Sequence, residues 1–266
     1  MTTKDLRHRN EPDASDQYGG LYMSLEELAA NIEKMTVGLD DTFQFHCTQC
    51  GQCCVNREDI LLSPMDIFKM SKELGMTHTQ FFSKYCEAYI GDTSRMPVVR
   101  LQPVGDEMRC PLLKNHKCSV HKVKPSVCGL FPLGRYTSVK SDEYSADAIG
   151  NSEVKYLLQP IECGDNSQTH TVREWLANFD IKLEDEAFTR WHQTIATVGN
   201  KLKGLEKTWD MMTMMEVWFM VRVFLYERYD TDQPFMPQFE ENTALVTTML
   251  GDIPRLKELI RSARGA

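Results

Sequence analysis

Cys47, Cys50, Cys53 and Cys54 fall within eight residues in the pattern C-x2-C-G-x-C-C. Thiolates three residues apart in a turn can converge on one soft metal centre, and Gly51 relieves the backbone where such a loop folds tightly. A second run, C-P-L-L-x4-C-x2-H-x3-P-x2-C-x2-F-P, supplies Cys110, Cys118, His121 and Cys128, and Cys163 stands alone after it. His121, three residues after Cys118, can act as a further ligand or as a hydrogen-bond donor to one. Without Cys86, which lies between the groups, eight thiolates remain. Eight suit two four-coordinate centres: two cubane clusters, two zinc ions, or one of each. Successive side chains of extended backbone point to opposite sides, so Cys53 and Cys54 are expected to serve different centres, one on each side of the loop.

These ligands need elements to place them. Ser24 and Glu27 form a capping box for a first helix, with Leu25, Leu28, Ala29, Ile32 and Met35 at helical spacing and an end near Gly38. Thr42 to Cys47 alternates like a short strand leading into the cysteine loop. Ser63-Pro64 starts a helix ended by Gly75, and Thr77 and Gln80 cap another running to about Ile90, which makes Cys86 a mid-helix core residue. Strands are expected over Pro97 to Val104 and Met108 to Leu113, joined at Gly105-Asp106, and a less clear hairpin over Tyr136 to Lys140 and Glu143 to Ala148. Helices are expected from Thr171 to Asn178, Glu184 to Leu202, Trp209 to Tyr229 and from Asp252 onward. Met211, Met212, Met214 and Met215 open a helix apolar nearly all round and read as core rather than as a copper site. The fold class is α+β. Residues 1–20 read as a flexible tail, 21–170 as a cysteine-cluster metal-binding domain with short strands, and 171–266 as a helical region packed on it.

Composition narrows the chemistry. The chain has 266 residues, 42% hydrophobic and 26% charged, an ordinary globular balance that needs no staples to hold a core. Its net charge is −8, with no basic run, so nucleic acid and anionic membranes are not expected partners. The N-terminus is polar, and the longest apolar stretch, Met211 to Tyr226, is broken by Glu216 and Arg222, so no membrane span is expected. The chain reads as cytoplasmic. In that reducing compartment nine cysteines point to metal ligands or redox groups rather than disulfides.

Both cysteine runs and the final lone cysteine resemble the YkgJ-type cysteine-cluster family, a zinc- or iron-chelating domain related to the flagellin lysine N-methylases. The resemblance covers about residues 43–165, with weaker likeness from Thr171 to Trp175. It implies a ligand set of Cys47, Cys50, Cys53, Cys54, Cys110, Cys118, Cys128 and Cys163. The chain departs from the family at Lys124, where Arg is usual, so a compact point charge replaces a planar fork there.

These residues support three functional readings. The first is an iron–sulfur protein, with [4Fe-4S] centres that carry electrons to or from a protein or redox partner. The second is an enzyme, an oxidoreductase or a protein-lysine N-methylase-like activity, the latter implied by the resemblance alone. The third is a non-catalytic module whose Zn2+ supplies folding energy. No G-x-S-x-G elbow, P-loop or G-x-G-x-x-G turn appears, so no catalytic residue is assigned.

Overall fold

The computed structural model describes residues 31–140, 143–161 and 163–264. The capping box at Ser24 and Glu27 lies outside them; residues 31–35, with Ile32 and Met35, are helical. Residues up to Thr36 form one unit and Val37–Ala266 another, and the second carries every cysteine.

The elements of this second unit begin with strand β1, Thr42–His46, and β2, Leu61–Leu62. Helices α1, Pro64–Glu73, and α2, His78–Tyr85, each open on a complete capping box. In α1, Ser63 Oγ accepts from Asp66 N while Asp66 Oδ2 accepts from Ser63 N, satisfying two otherwise orphaned donors. Then come β3, Cys86–Ile90, and β4, Pro97–Leu101. The hairpin β5, Leu113–Lys114, and β6, Lys117–Cys118, leads to the short helix α3, Ser126–Leu130. Strand β7, Leu133–Thr137, helix α4, Ala146–Gly150, and β8, Val154–Leu158, precede β9, Asp165–Thr171. The remainder is helical: α5, Val172–Asn178; α6, Glu186–Glu206; α7, Met211–Arg222, continued by a π turn over Val223–Glu227; α8, Phe235–Met249; and α9, Ile253–Arg264.

Pairing is antiparallel: β4 lies between β2 and β3, β9 joins β1, β7 joins β8, and β5 joins β6. The main core packs Val99 and Leu101 of β4 with Ile67, Met70, Phe81, Leu202, Val217, Val221 and Val246. A second core joins Phe43 and Phe45 of β1 to Leu130, Leu133, Tyr156, Trp175 and Leu176. The helical segments thus bury their apolar faces against the cysteine-bearing sheets rather than among themselves alone, in an α+β architecture.

Several local expectations are corrected. The helix from Thr77 stops at Tyr85, because Cys86 to Ile90 pairs along the full length of β4. Ladder bonds to a neighbouring strand outweigh the local helical preference there. Cys86 keeps its expected burial, at the head of a strand. The hairpin across Gly105-Asp106 contracts to one bridge, Val104 to Arg109, since β4 already has a partner on each edge. The hairpin over 136–148 is absent among the described residues: β7 reaches past α4 to pair with β8. Helix α7 is not apolar core all round. Met214, Val217, Trp218 and Val221 are buried, while Met211, Met212, Met215 and Phe219 face outward at 60–69% exposure. Strand β9 and helix α8 have no counterpart in the sequence reading.

Candidate metal centre

Alternation in β1 sends Phe43 and Phe45 into the core and ends the strand at His46, which delivers Cys47 to the edge of a cleft. The chain then turns at Gly51, φ 78°, where a Cβ would lie 3.3 Å from the His116 carbonyl. Glycine suits this position, since its left-handed backbone and the close approach of the β5–β6 hairpin both disfavour a side chain there. Residues Gln52–Cys54 form a single 3-10 turn, with Cys54 N donating to Gly51 O at 3.0 Å.

The second cysteine group is tied to the first through the backbone. Cys110 N donates to Cys54 O at 2.8 Å, Asn56 N to Glu107 O and Arg57 N to Met108 O. Cys118 closes the β5–β6 hairpin, where Ser119 N and Oγ both donate to Leu112 O. Cys128 sits in α3, whose start is held from a distance: Asp66 Oδ1 accepts from Ser126 N at 2.8 Å and from Ser126 Oγ at 2.7 Å. The other oxygen of that buried carboxylate caps α1, so a single side chain registers α1 against the helix that carries Cys128. Cys163 returns because β9 pairs with β1, Asp165 opposite His46, through Gly164 at φ 72°. A Cβ on Gly164 would stand 2.4 Å from the His46 carbonyl.

These elements bring sulfur together from distant chain segments. Cys47, Cys53, Cys54, Cys110, Cys118, Cys128, Cys163 and His121 all line one cleft of about 930 Å³. Cys50 is exposed beside it, its thiol 3.6 Å from Gln52 Oε1. All nine cysteines are free thiols. Among the described residues, no three Cys, His, Asp or Glu side chains are drawn in to the spacing of a closed metal site.

Cys53 and Cys54 do not point to opposite sides. Their Sγ atoms are 3.9 Å apart, because the 3-10 turn replaces the extended backbone on which that expectation depended. They differ instead in which other thiols they face. Cys54 hydrogen-bonds Cys110, which raises its pKa to about 12, with the charges of Cys110 and Cys118 adding to the rise. Cys110 accepts that hydrogen bond, which lowers its pKa against the opposing effect of burial. The Cys54 hydrogen bond, then burial, push Cys53 up strongly. Burial raises Cys118, and raises Cys128 far further. Cys163 is raised to about 11 by burial and then by the charges of Cys53, Cys50 and Cys47. Cys50 is lowered, chiefly by the Gln52 backbone and also by that of Gly164. Burial, then the charge of Lys124, lower the His121 imidazole, which stands edge-on to Phe179.

Two cations border the thiols. Arg57 closes its fork on Asp59 at 2.6 and 3.1 Å, and Nη1 approaches the Cys53 carbonyl at 3.5 Å. Lys124 holds its Nζ 4.2 Å from the centroid of Phe179. The parts played by Asp66 and Arg57 are not visible in the sequence. The capping signal at Ser63 marks Asp66 as a helix start, and nothing local links it to residue 126.

The donor set fits a thiophilic metal: thiols free of disulfides, half-buried except for the exposed Cys50 and Cys53, with seven of the eight lining one cleft. Residues 46–149 match the family described as "Putative zinc- or iron-chelating domain", CxxCxxCC, a segment that takes in all the thiols lining the cleft except Cys163. No curated protein and no solved structure matches the chain. The cysteine loop, the hairpin that returns Cys118 and the helix that carries Cys128 all lie within the segment that is similar to this CxxCxxCC zinc- or iron-chelating family.

Proposed function

We propose that the protein binds metal in two four-thiolate centres and that these are iron–sulfur clusters with a redox role in the cytosol. Cys47, Cys50, Cys53 and Cys163 would hold one, and Cys54, Cys110, Cys118 and Cys128 the other. The observation that carries this reading is the convergence of seven of the eight thiols, from three separate stretches of chain, on one cleft. Cys163 feels Cys53, Cys50 and Cys47, and Cys54 feels Cys110 and Cys118, while Cys118 also feels Cys53 and Cys47 and Cys128 feels both Cys53 and Cys54, so the two proposed centres adjoin. His121 fits a hydrogen-bonding role at the second centre better than a ligand role, since four thiols already serve that centre. Iron–sulfur is favoured by the cleft: structural zinc sits in closed sites with four protein ligands and needs no opening, while these thiols border a space large enough for a reacting partner.

A zinc reading has one observation on its side. At a Zn–S length of about 2.3 Å, sulfurs of a tetrahedral site lie about 3.8 Å apart. The 3.9 Å between Cys53 and Cys54 is close to that edge. Anaerobic purification followed by metal and acid-labile sulfide analysis separates the two. Brown protein with sulfide matching its iron is the expected result, and colourless zinc-loaded protein would reject it. Single replacement of Cys53 and Cys54 by Ser should then remove iron from different centres.

A further inference from the structure

The thiols account for only part of the cleft. Another part of its lining comes from β7 and the start of α6, where Arg135, Asp185, Phe188 and His192 gather. The last three lie beyond the segment that is similar to the zinc- or iron-chelating family. The Arg135 side chain is only 5% exposed. Its guanidinium carbon stands 3.7 Å from the centroid of the Phe188 ring, and Nη1 donates to Asp185 Oδ2 at 2.7 Å. Asp185 Oδ1 accepts from Phe188 N, so one carboxylate both caps α6 and fixes the guanidinium. The Nε–Nη2 edge is treated differently. Arg57 closes that edge on Asp59, and Arg95 closes it on Glu206. In Arg135 no described residue hydrogen-bonds it, and Nε is buried without a partner. Tyr156, opposite Arg135 in the β7–β8 ladder, has a buried hydroxyl that is also unpartnered. A buried charged donor left open is costly unless a bound group fills it. His192 adds an acceptor. Its Nδ1 lies 2.9 Å from the Phe188 carbonyl, which can only accept, so Nδ1 carries the proton and Nε2 keeps a lone pair. Burial lowers the pKa of this ring, which favours the neutral form.

We propose that this corner of the cleft binds a small organic acid: the Nε–Nη2 edge of Arg135 takes the carboxylate, and His192 Nε2 accepts from a hydroxyl or N–H on the same molecule. Guanidinium and carboxylate are planar, two-point partners, and their pairing is strongest where water is excluded. A monoanion suits the site better than a phosphate dianion. Asp185 already offsets part of the Arg135 charge, and Glu184 and Glu186 share the lining. Trp191, Ile195 and Leu133 offer the rest of the molecule an apolar surface, and Cys163 lines the same cleft, whose volume of about 930 Å³ is in the range of small-molecule sites. Binding at Arg135 needs no metal. Use of the bound acid as the substrate of the thiol centres rests on the function proposed above.

The test uses the full chain, purified anaerobically, as wild type, R135Q, R135K and H192F, in equilibrium dialysis against labelled acetate, lactate and phenyllactate, with inorganic phosphate as competitor. Lactate and phenyllactate carry a hydroxyl for His192, and acetate does not. Wild type should bind one phenyllactate per chain, more tightly than lactate, and phosphate should not displace it. R135Q should weaken binding of all three acids about tenfold or more, R135K should weaken it less, and H192F should weaken only the two hydroxy acids. Since removing a buried cation can unfold the chain, the wild type supplies a second reading by NMR: its Arg135 Nε–H signal should shift, and exchange more slowly with water, as phenyllactate is added. No saturable binding of any acid, or binding that R135Q leaves unchanged, would overturn the proposal. So would an Nε–H signal that no acid moves, in which case a trapped water shared with Tyr156 satisfies the edge. Metal and sulfide analysis of the same samples keeps the two readings apart. Metal-free chain that still binds acid through Arg135 retains this site and removes the redox role, while iron-loaded chain that binds no acid does the reverse.

Discussion

The thiol-bearing region and the helical region obtain their order differently. Between Gln49 and Gly164 the chain repeatedly takes left-handed backbone, at Gln49, Asn56, Arg95, Met108, Asn115 and His116 as well as at Gly51, Gly75, Gly105 and Gly164. From Val172 onward Asp180, at φ 52°, is the one described residue that does. Left-handed φ costs a non-glycine residue about 1–2 kcal/mol, and the turns that bear the thiols put few large apolar groups into the core to offset that. The helical region has the opposite character. Leu202, Val217, Val221 and Val246 are fully buried, on regular helices. The difference teaches where metal matters: it should stabilise the strained loops, while the helices rest on apolar burial.

Stripping the metal anaerobically under reducing conditions tests this with the largest expected effect. Amide exchange over 47–56 and 108–128 should accelerate by orders of magnitude, while α6 and α8 keep most of their protection. Equal loss in both regions would end the distinction. A pair of substitutions sharpens it. Leu202→Ala should cost about 2–5 kcal/mol in chemical denaturation with bound metal per folded chain unchanged. Asp66→Ala, which frees Ser126 and the cap of α1, should cost about 2–3 kcal/mol and also lower the metal content by releasing the start of α3.

Acid provides a third probe. His78 is buried between Phe68 and Tyr229 with neither ring nitrogen hydrogen-bonded, and burial lowers its pKa to about 4. The unfolded chain has the ordinary value near 6.5 and so binds the proton first. Stability from the neutral imidazole is complete above pH 6.5 and is lost progressively as pH falls toward 4. Equilibrium unfolding at both ends should show a decline on the order of 3 kcal/mol attributable to this group. His78→Phe should flatten that slope; an unchanged slope in the variant would assign the acid sensitivity elsewhere. The smallest effect is expected on the outer face of α7. Met212→Gln and Met215→Gln should each shift stability by no more than about 0.5 kcal/mol, since both side chains face outward.

Much of the fold is legible locally. Ser63, Thr77 and Thr171 each announce a helix with a capping partner three residues on, and all three boxes form. Capping is legible because both partners lie within one turn. The strands are less so. Cys86 to Ile90 has no strong local preference and becomes a strand because Pro97 to Leu101 lies beside it. Residues 165–171 are polar throughout, and only pairing with β1 orders them. The metal-chelating domain itself is visible from cysteine spacing alone, since ligand type and separation in a tight loop already restrict the chemistry.

What the amino-acid order determined by itself is therefore the inventory: eight thiols at ligand spacing beside one core cysteine, the helix starts, and an acidic surface without a basic track. Those properties depend on residue type and on neighbours within a few positions. Tertiary structure alone decided that the β9–β1 ladder, with Asp165 opposite His46, returns Cys163 to the cleft that Cys47 lines, that Asp66 anchors the helix of Cys128, and that Cys53 and Cys54 share a turn instead of parting. These contacts join residues far apart in the chain, or depend on one residue taking a 3-10 rather than an extended backbone. Such choices are made by the packing of the whole domain, because no local preference is strong enough to make them.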